Sequence, residues 1–282
     1  MAHVSRFAKP SLLIVSAVSI LLAWPAGLAA QAATRPALSP AKGKLDPAAE
    51  KILERAEARG QEIRDIESNL VFVKRDPIFE STEVFEGVLL FKEDKPNPRF
   101  LIRFDKSTQN GRVNNKKEWH VFDGRFYIEA REKNQTIVKH EVLRPGENRE
   151  VFRLGQGPFP LPFGQKKEDI LRHFDVKLIP PAPKDPAASD HLELTPLPET
   201  EMDKKYEAVH FYIDRKQALP VKVQTVEKES GEEIIATFSN LKLNQGLPGS
   251  RLNLPALRDY SITEDRLPAE DEKGPAKEQA EP

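Results

Sequence analysis

A chain of 282 residues, 39% of them hydrophobic, can bury a full core as one large domain or two modest ones, and one is the simpler reading. With 43 Lys and Arg against 44 Asp and Glu, the net charge of -1 creates no long-range field that would gather nucleic acid or an anionic membrane. The absence of cysteine excludes disulfides, thiol catalysis, thiolate metal ligation and the lipidated cysteine of a lipoprotein.

Arg6 and Lys9 precede the apolar run Leu12 to Leu22, which is followed by the breakers Pro25 and Gly27 and by Ala30-Gln31-Ala32. This is the order of a secretory signal peptide over residues 1–32, with cleavage expected after Ala32. An apolar core of about 11 residues is too short for a membrane span, which needs about 20. The mature chain is therefore expected to be soluble and periplasmic in a two-membrane bacterium, or secreted. Residues 33–45, with Pro36, Pro40 and Gly43 and no apolar period, read as a flexible leader.

Asp46 is a good helix N-cap with Pro47 behind it, and Ile52, Leu53, Ala56, Ile63 and Ile66 recur at helical spacing, so a helix is expected from Pro47 to about Gln61. After it the period drops to two. Val84 to Phe91 alternates as a strand, and further strands are expected at Phe100–Phe104, Glu118–Phe122, Arg125–Arg131, Thr136–Leu143, His191–Leu194, Ala208–Ile213, Leu219–Lys228 and Ile234–Leu243. Asp123-Gly124 is a type I′ hairpin signal, and Lys133-Asn134, Ser230-Gly231 and Pro145-Gly146 are further turns. Short sequential strands joined by tight turns pair antiparallel.

Gly155 to Gly164 carries too many Gly and Pro for a strand, and Lys166 to Phe174 reads as a short helix. A breaker-rich loop that holds Phe159, Leu161 and Phe163 must cover something apolar. From Glu264 to Pro282 seven acidic side chains face three basic ones, with three prolines and one Leu, so the region 259–282 is expected to be a disordered charged tail. Residues 46–258 then form a single domain.

Dispersed histidines without ligand spacing argue against a metal site. His120 and His140 could meet across neighbouring strands, although solvated or hydrogen-bonded strand histidines are the ordinary outcome. No nucleophile elbow, triad order or phosphate-cradling Gly-Lys-Ser or Gly-Lys-Thr occurs, so neither an enzyme nor a cofactor is expected.

The helix Asp46 to Ile66 running into Asn69–Lys74, then Gly87-Val88-Leu89-Leu90-Phe91-Lys92, Lys95-Pro96-Asn97, Arg103-Phe104, the hairpin Val121 to Ile128, His191-Leu192-Glu193-Leu194-Thr195-Pro196 and the Phe211–Phe238 meander follow one order. Together they resemble a divergent branch of the outer-membrane lipoprotein carrier (LolA-like) family. The resemblance implies an α+β fold: an incomplete, unclosed antiparallel barrel or strongly curved sheet, with an N-terminal helix and lid helices over a concave apolar face. It implies a monomeric carrier that takes lipoprotein or lipid acyl chains from an inner-membrane exporter to an outer-membrane receptor. In the family the lid is often held by an arginine of an Arg-Pro-Asn stretch. Here Lys95 takes that place, with Arg99 or Arg103 as substitutes.

The cavity and lid candidates are Phe72, Phe85, Leu89, Phe91, Phe104, Trp119, Phe126, Phe159, Leu161 and Phe163. Two alternatives to carriage are an envelope-stress sensor or adaptor on the same half-barrel and a structural envelope protein with a filled interior.

Overall fold

The computed structural model describes residues 43–148, 151–152 and 161–268. The expected signal peptide, most of the leader and the end of the expected tail lie outside the described residues.

Helix α1 (Pro47–Gln61) has the bounds that the sequence predicts. The Asp46 side chain accepts from the Ala48 N–H at 2.8 Å, Pro47 fills the first turn, and Ala49, Ile52 and Leu53 form the buried stripe. Two short helices follow later, α2 (Lys167–Leu171) and α3 (Glu201–Lys205).

Among the described residues thirteen strands make one sheet. In chain order they are β1 (Asp65–Asp76), β2 (Ser81–Lys92), β3 (Arg99–Gln109), β4 (Arg112–Asn114), β5 (Glu118–Phe122), β6 (Phe126–Arg131), β7 (Thr136–Glu141), β8 (Phe174–Ile179), β9 (Ser189–Pro196), β10 (Tyr206–Asp214), β11 (Pro220–Glu227), β12 (Glu233–Leu243) and β13 (Ser261–Asp265). Their spatial order is β13-β7-β6-β5-β3-β2-β1-β12-β11-β10-β9-β8, with β4 paired to β3 alone. The two ends, β13 and β8, do not meet, so the curved sheet stays unclosed, as the resemblance implies. Local hairpins build each half, and the pairing of β1 with β12 joins the halves at the centre.

The sheet is apolar on both faces over part of its width. The inner face carries one continuous core from β6 across to β12, and a flank over β8 to β10 is covered by α1 and α2. On the outer face Leu90, Leu101, Trp119, Val121 and Ile128 lie beneath the segment Leu247–Tyr260, which includes a short 3-10 helix, Gly249–Leu252. Asp65 anchors the start of this strap by accepting from the N–H groups of Gln245, Gly246 and Leu247 at 2.9–3.2 Å. Gly87 stands at the register shift between β2 and β3, where a Cβ would come within 1.8 Å of the Arg103 carbonyl oxygen.

Four expectations need correction. The Asp123-Gly124 turn is not type I′, since only Gly124 has positive φ; the Asp123 carboxylate shapes it by accepting from Arg125 N and Phe126 N at 2.9 and 2.8 Å. Residues 43–45 of the expected flexible leader are packed: Gly43 N donates to the Leu171 carbonyl at 2.8 Å and Leu45 bridges to Val176. Ser261–Asp265, inside the expected disordered tail, pairs in parallel with β7 as β13. The helix expected to reach Phe174 ends at Leu171, and Phe174 instead begins β8.

Candidate functional site

Alternation along the strands sends Ile66, Leu70 and Phe72 of β1, Phe85, Leu89 and Phe91 of β2, Phe100, Ile102 and Phe104 of β3, and Phe122 of β5 to the inner face. The curvature can be read from ring contacts. Phe72 and Phe104 lie on strands separated by β2, about 10 Å apart in a flat sheet, yet their centroids are 6.1 Å apart, with Phe85 touching both at 6.2 and 5.3 Å.

The centre of this face is covered by side chains from a loop. Phe152 meets Phe91, Phe100 and Phe122 at 5.6–5.8 Å, and Phe163 meets Phe238 edge to face at 5.0 Å. Val151 and Leu161 are also buried. The buried Gln165 amide holds both ends of the loop, donating to the Phe152 carbonyl at 2.8 Å and the Leu161 carbonyl at 2.5 Å. Gly164, at φ +74°, packs against α1 so closely that a Cβ on Gly60 would lie 2.5 Å from its Cα. Beyond it Lys167 ties α2 to α1 through Glu50 and Glu54 at 2.9 and 2.7 Å, and these carboxylates raise the lysine pKa. A cleft of about 410 Å³ lies at the seam of β1 and β12, lined by Glu67, Ser68, Asn69, Asn240, Leu241 and Lys242.

Of the sequence-predicted residues, Phe72, Phe85, Leu89, Phe91, Phe104 and Phe163 share the inner core, and Leu161 is buried in the loop beside it. Phe159 lies outside the described residues. Trp119 and Phe126 are corrections: both pack in the outer core under the C-terminal strap, because they have the opposite parity to Phe122 and Tyr127 on the same strands. The latch candidates do not hold the loop. Lys95 is exposed, with no side-chain ion pair or hydrogen bond among the described residues. Arg103 pairs with Asp105 at 2.9 Å. Arg99 does reach a carbonyl of a short covering helix, Gly249 O at 3.3 Å, and also Asp94 at 2.6 Å, but this fastens the strap on the outer face. Sequence reasoning missed Gln165; its place just after a breaker-rich loop was the one available signal.

His120 was not singled out as a site residue, and the structure places it where the apolar inner face meets the polar groups Tyr127, Glu129 and Arg131 of β6. It is fully buried, its Nδ1 is 2.7 Å from the Tyr127 hydroxyl, and Tyr127 donates to Glu129 Oε1 at 3.2 Å. Arg131 donates to the same carboxylate at 3.1 Å. Burial pushes the His120 pKa down to about 3 and raises that of Tyr127, and it also raises the neighbouring Glu118. His120 does not meet His140, which pairs with Asp265 at 3.0 Å. The pair that does form is His191 and His210, at 3.0 Å, on the other half of the sheet. Among the described residues no group of three or more His, Asp or Glu is placed to hold a metal ion.

No family model matches this chain, and no curated protein does. Solved structures similar to it include an uncharacterized conserved protein from Thermus thermophilus, at 11% identity and TM-score 0.45, covering 77% of this chain and 99% of that one. LprF from Mycobacterium bovis is similar at 12% identity and TM-score 0.41, over 76% of this chain and 100% of that one. A LolA superfamily protein from Nitrosomonas europaea is similar at 14% identity and TM-score 0.31, over 73% and 97%. The similar structures thus include a member of the family that the strand order resembles. At these values the likeness bears on neither cargo nor partners.

Proposed function

We propose that the chain is an exported binding protein that shelters the acyl chains of lipids or lipoproteins against the inner face of its sheet, with the side chains of Val151, Phe152, Leu161 and Phe163 as the movable cover. One observation carries this reading: a continuous apolar face is closed at its centre by loop side chains, not by a strand or long helix. A loop pinned by Gln165 and by the Gly60–Gly164 contact can leave without breaking a ladder of the sheet.

The magnitudes set which cargo could compete. Displacing Phe152 and Phe163 forfeits about 1.5–3 kcal/mol for each side chain, and a bound chain returns about 0.8 kcal/mol per buried methylene. A guest must therefore bury roughly four to eight methylenes before it gains anything, which selects long chains over short ones. Export, from residues 1–32, and hand-over between an exporter and a receptor belong to the same proposal.

Native mass spectrometry of gently purified protein, followed by titration with fluorescent fatty acids of increasing length, tests the reading. Co-purifying lipid mass, and uptake that sets in only for long chains, would support it. Absence of both would leave the structural reading, with the loop as permanent core.

A further inference from the structure

His120 stands where the apolar inner face meets the polar groups of β6. It lies on β5 between Ile102 of β3 and Glu129 of β6, with Phe104 edge-on at 5.9 Å. Its Nε2 is buried and has no hydrogen-bond partner. A buried acceptor left unsatisfied is costly, and a phenylalanine would fill the same space without that cost.

The tautomer follows from the neighbours. Glu129 accepts from both Arg131 and the Tyr127 hydroxyl, so the single hydroxyl proton is taken and His120 Nδ1 donates to the Tyr127 oxygen. A neutral ring with its proton on Nδ1 presents Nε2 as a bare lone pair. Burial keeps the ring neutral, with its pKa near about 3, so Nε2 does not become a donor at ordinary pH. The position matters as much. Phe122, whose ring Phe152 covers at 5.6 Å, is two residues along the same strand face, about 7 Å away. A chain in the seat of Phe152 would lie one position along the strand face from His120.

We propose that His120 Nε2 is the polar anchor of the acyl site and selects long-chain ligands whose head carries an O–H donor. This rests on the acyl-binding reading above and adds a head-group preference to it.

The test compares a long-chain primary alcohol with its methyl ether, which keeps the oxygen and loses the donor, by displacement of a fluorescent fatty acid. The alcohol is expected to bind roughly fivefold tighter to the native protein, and His120→Phe is expected to bind both alike. Imidazole 15N shifts of the native protein give a second readout that needs no variant. They should report an unprotonated Nε2 whose resonance moves with the alcohol and not with the ether. Equal binding of the two ligands by the native protein, a preference that survives His120→Phe, or an Nε2 that carries the proton would each overturn the anchor while leaving acyl binding intact. If neither ligand displaces the probe and the probe itself does not bind, acyl binding fails too.

Discussion

Gln165 is one side chain holding two points of the loop, and its removal should act there. In Gln165→Leu the Phe152 and Leu161 carbonyls lose their shared donor, costing the seated loop about 1–3 kcal/mol. The sheet keeps its ladders, so circular dichroism should not change, while a fluorescent fatty acid should bind about tenfold tighter because the cover is easier to displace. Unchanged affinity would mean that the loop does not compete with ligand. His120 governs a different observable. Its folded pKa, about 3, lies below the ~6.5 of an unfolded histidine, so the unfolded chain takes up the proton first. The stabilisation is full above about pH 6.5 and is lost as pH falls from there toward about 3. Burial lowers His173, His191 and His210 as well, so they add in the same sense. Facing His120 are Tyr127, Glu129 and Arg131 on β6 and Glu118 on its own strand; the raised Glu118 has the opposite sign around the carboxylate range. Urea midpoints at about pH 7 and about pH 5 should differ in the native protein and differ less in His120→Phe. The sequence did not single this residue out, nor did it sort Trp119 from Phe122. Positions 119 to 122 are all buried, because a strap covers the outer face, and the polar alternation that marks a solvated face is lost.

Elements with local signals were legible. The cap Asp46, Pro47 and the apolar stripe placed α1, and β5 has the predicted bounds, Glu118–Phe122. Elements defined by partners were not. The sequence Ser261–Asp265 has every residue exposed and becomes a strand only by pairing with Thr136–His140; β8 begins at a phenylalanine that helical spacing had claimed. The junction of α1 with the loop is the element contact most open to test. A methyl group at Gly60 would meet the Gly164 backbone, a clash of about 1–3 kcal/mol, offset by up to ~1 kcal/mol of helix propensity. Gly60→Ala should therefore raise hydrogen exchange at residues 161–166 with the sheet amides unchanged. Protection retained at 161–166 would show that the contact does not hold the loop down.

At the scale of the whole molecule, the two faces of one sheet carry separate duties. The inner face holds the candidate site beneath a loop, and the outer core under Leu247–Tyr260 gives the curved sheet a rigid back. Arg99 couples the strap to the turn before β3 through Asp94, Gly249 and Asn253. Beyond the strap, β13 guards the edge of β7, adding the pairs Lys139–Glu264 at 4.0 Å and His140–Asp265 at 3.0 Å, while Leu267 N donates to Glu141 at 3.0 Å. Because β13 is wholly exposed, deleting residues 261–282 leaves the strap through Tyr260 in place, removes little apolar burial and should lower the urea midpoint only slightly. The same deletion bares the hydrogen-bonding groups of β7, and an unguarded edge pairs with another copy. Light scattering after size exclusion should show concentration-dependent association of the truncated chain, relieved by Ile137→Pro, which removes a donor from the exposed edge. Acyl-probe affinity should stay at the native value, since the inner face is untouched. A truncated chain that remains monomeric at high concentration would mean that β13 has no role in protecting the edge, and a loss of probe binding would mean that the two faces are coupled.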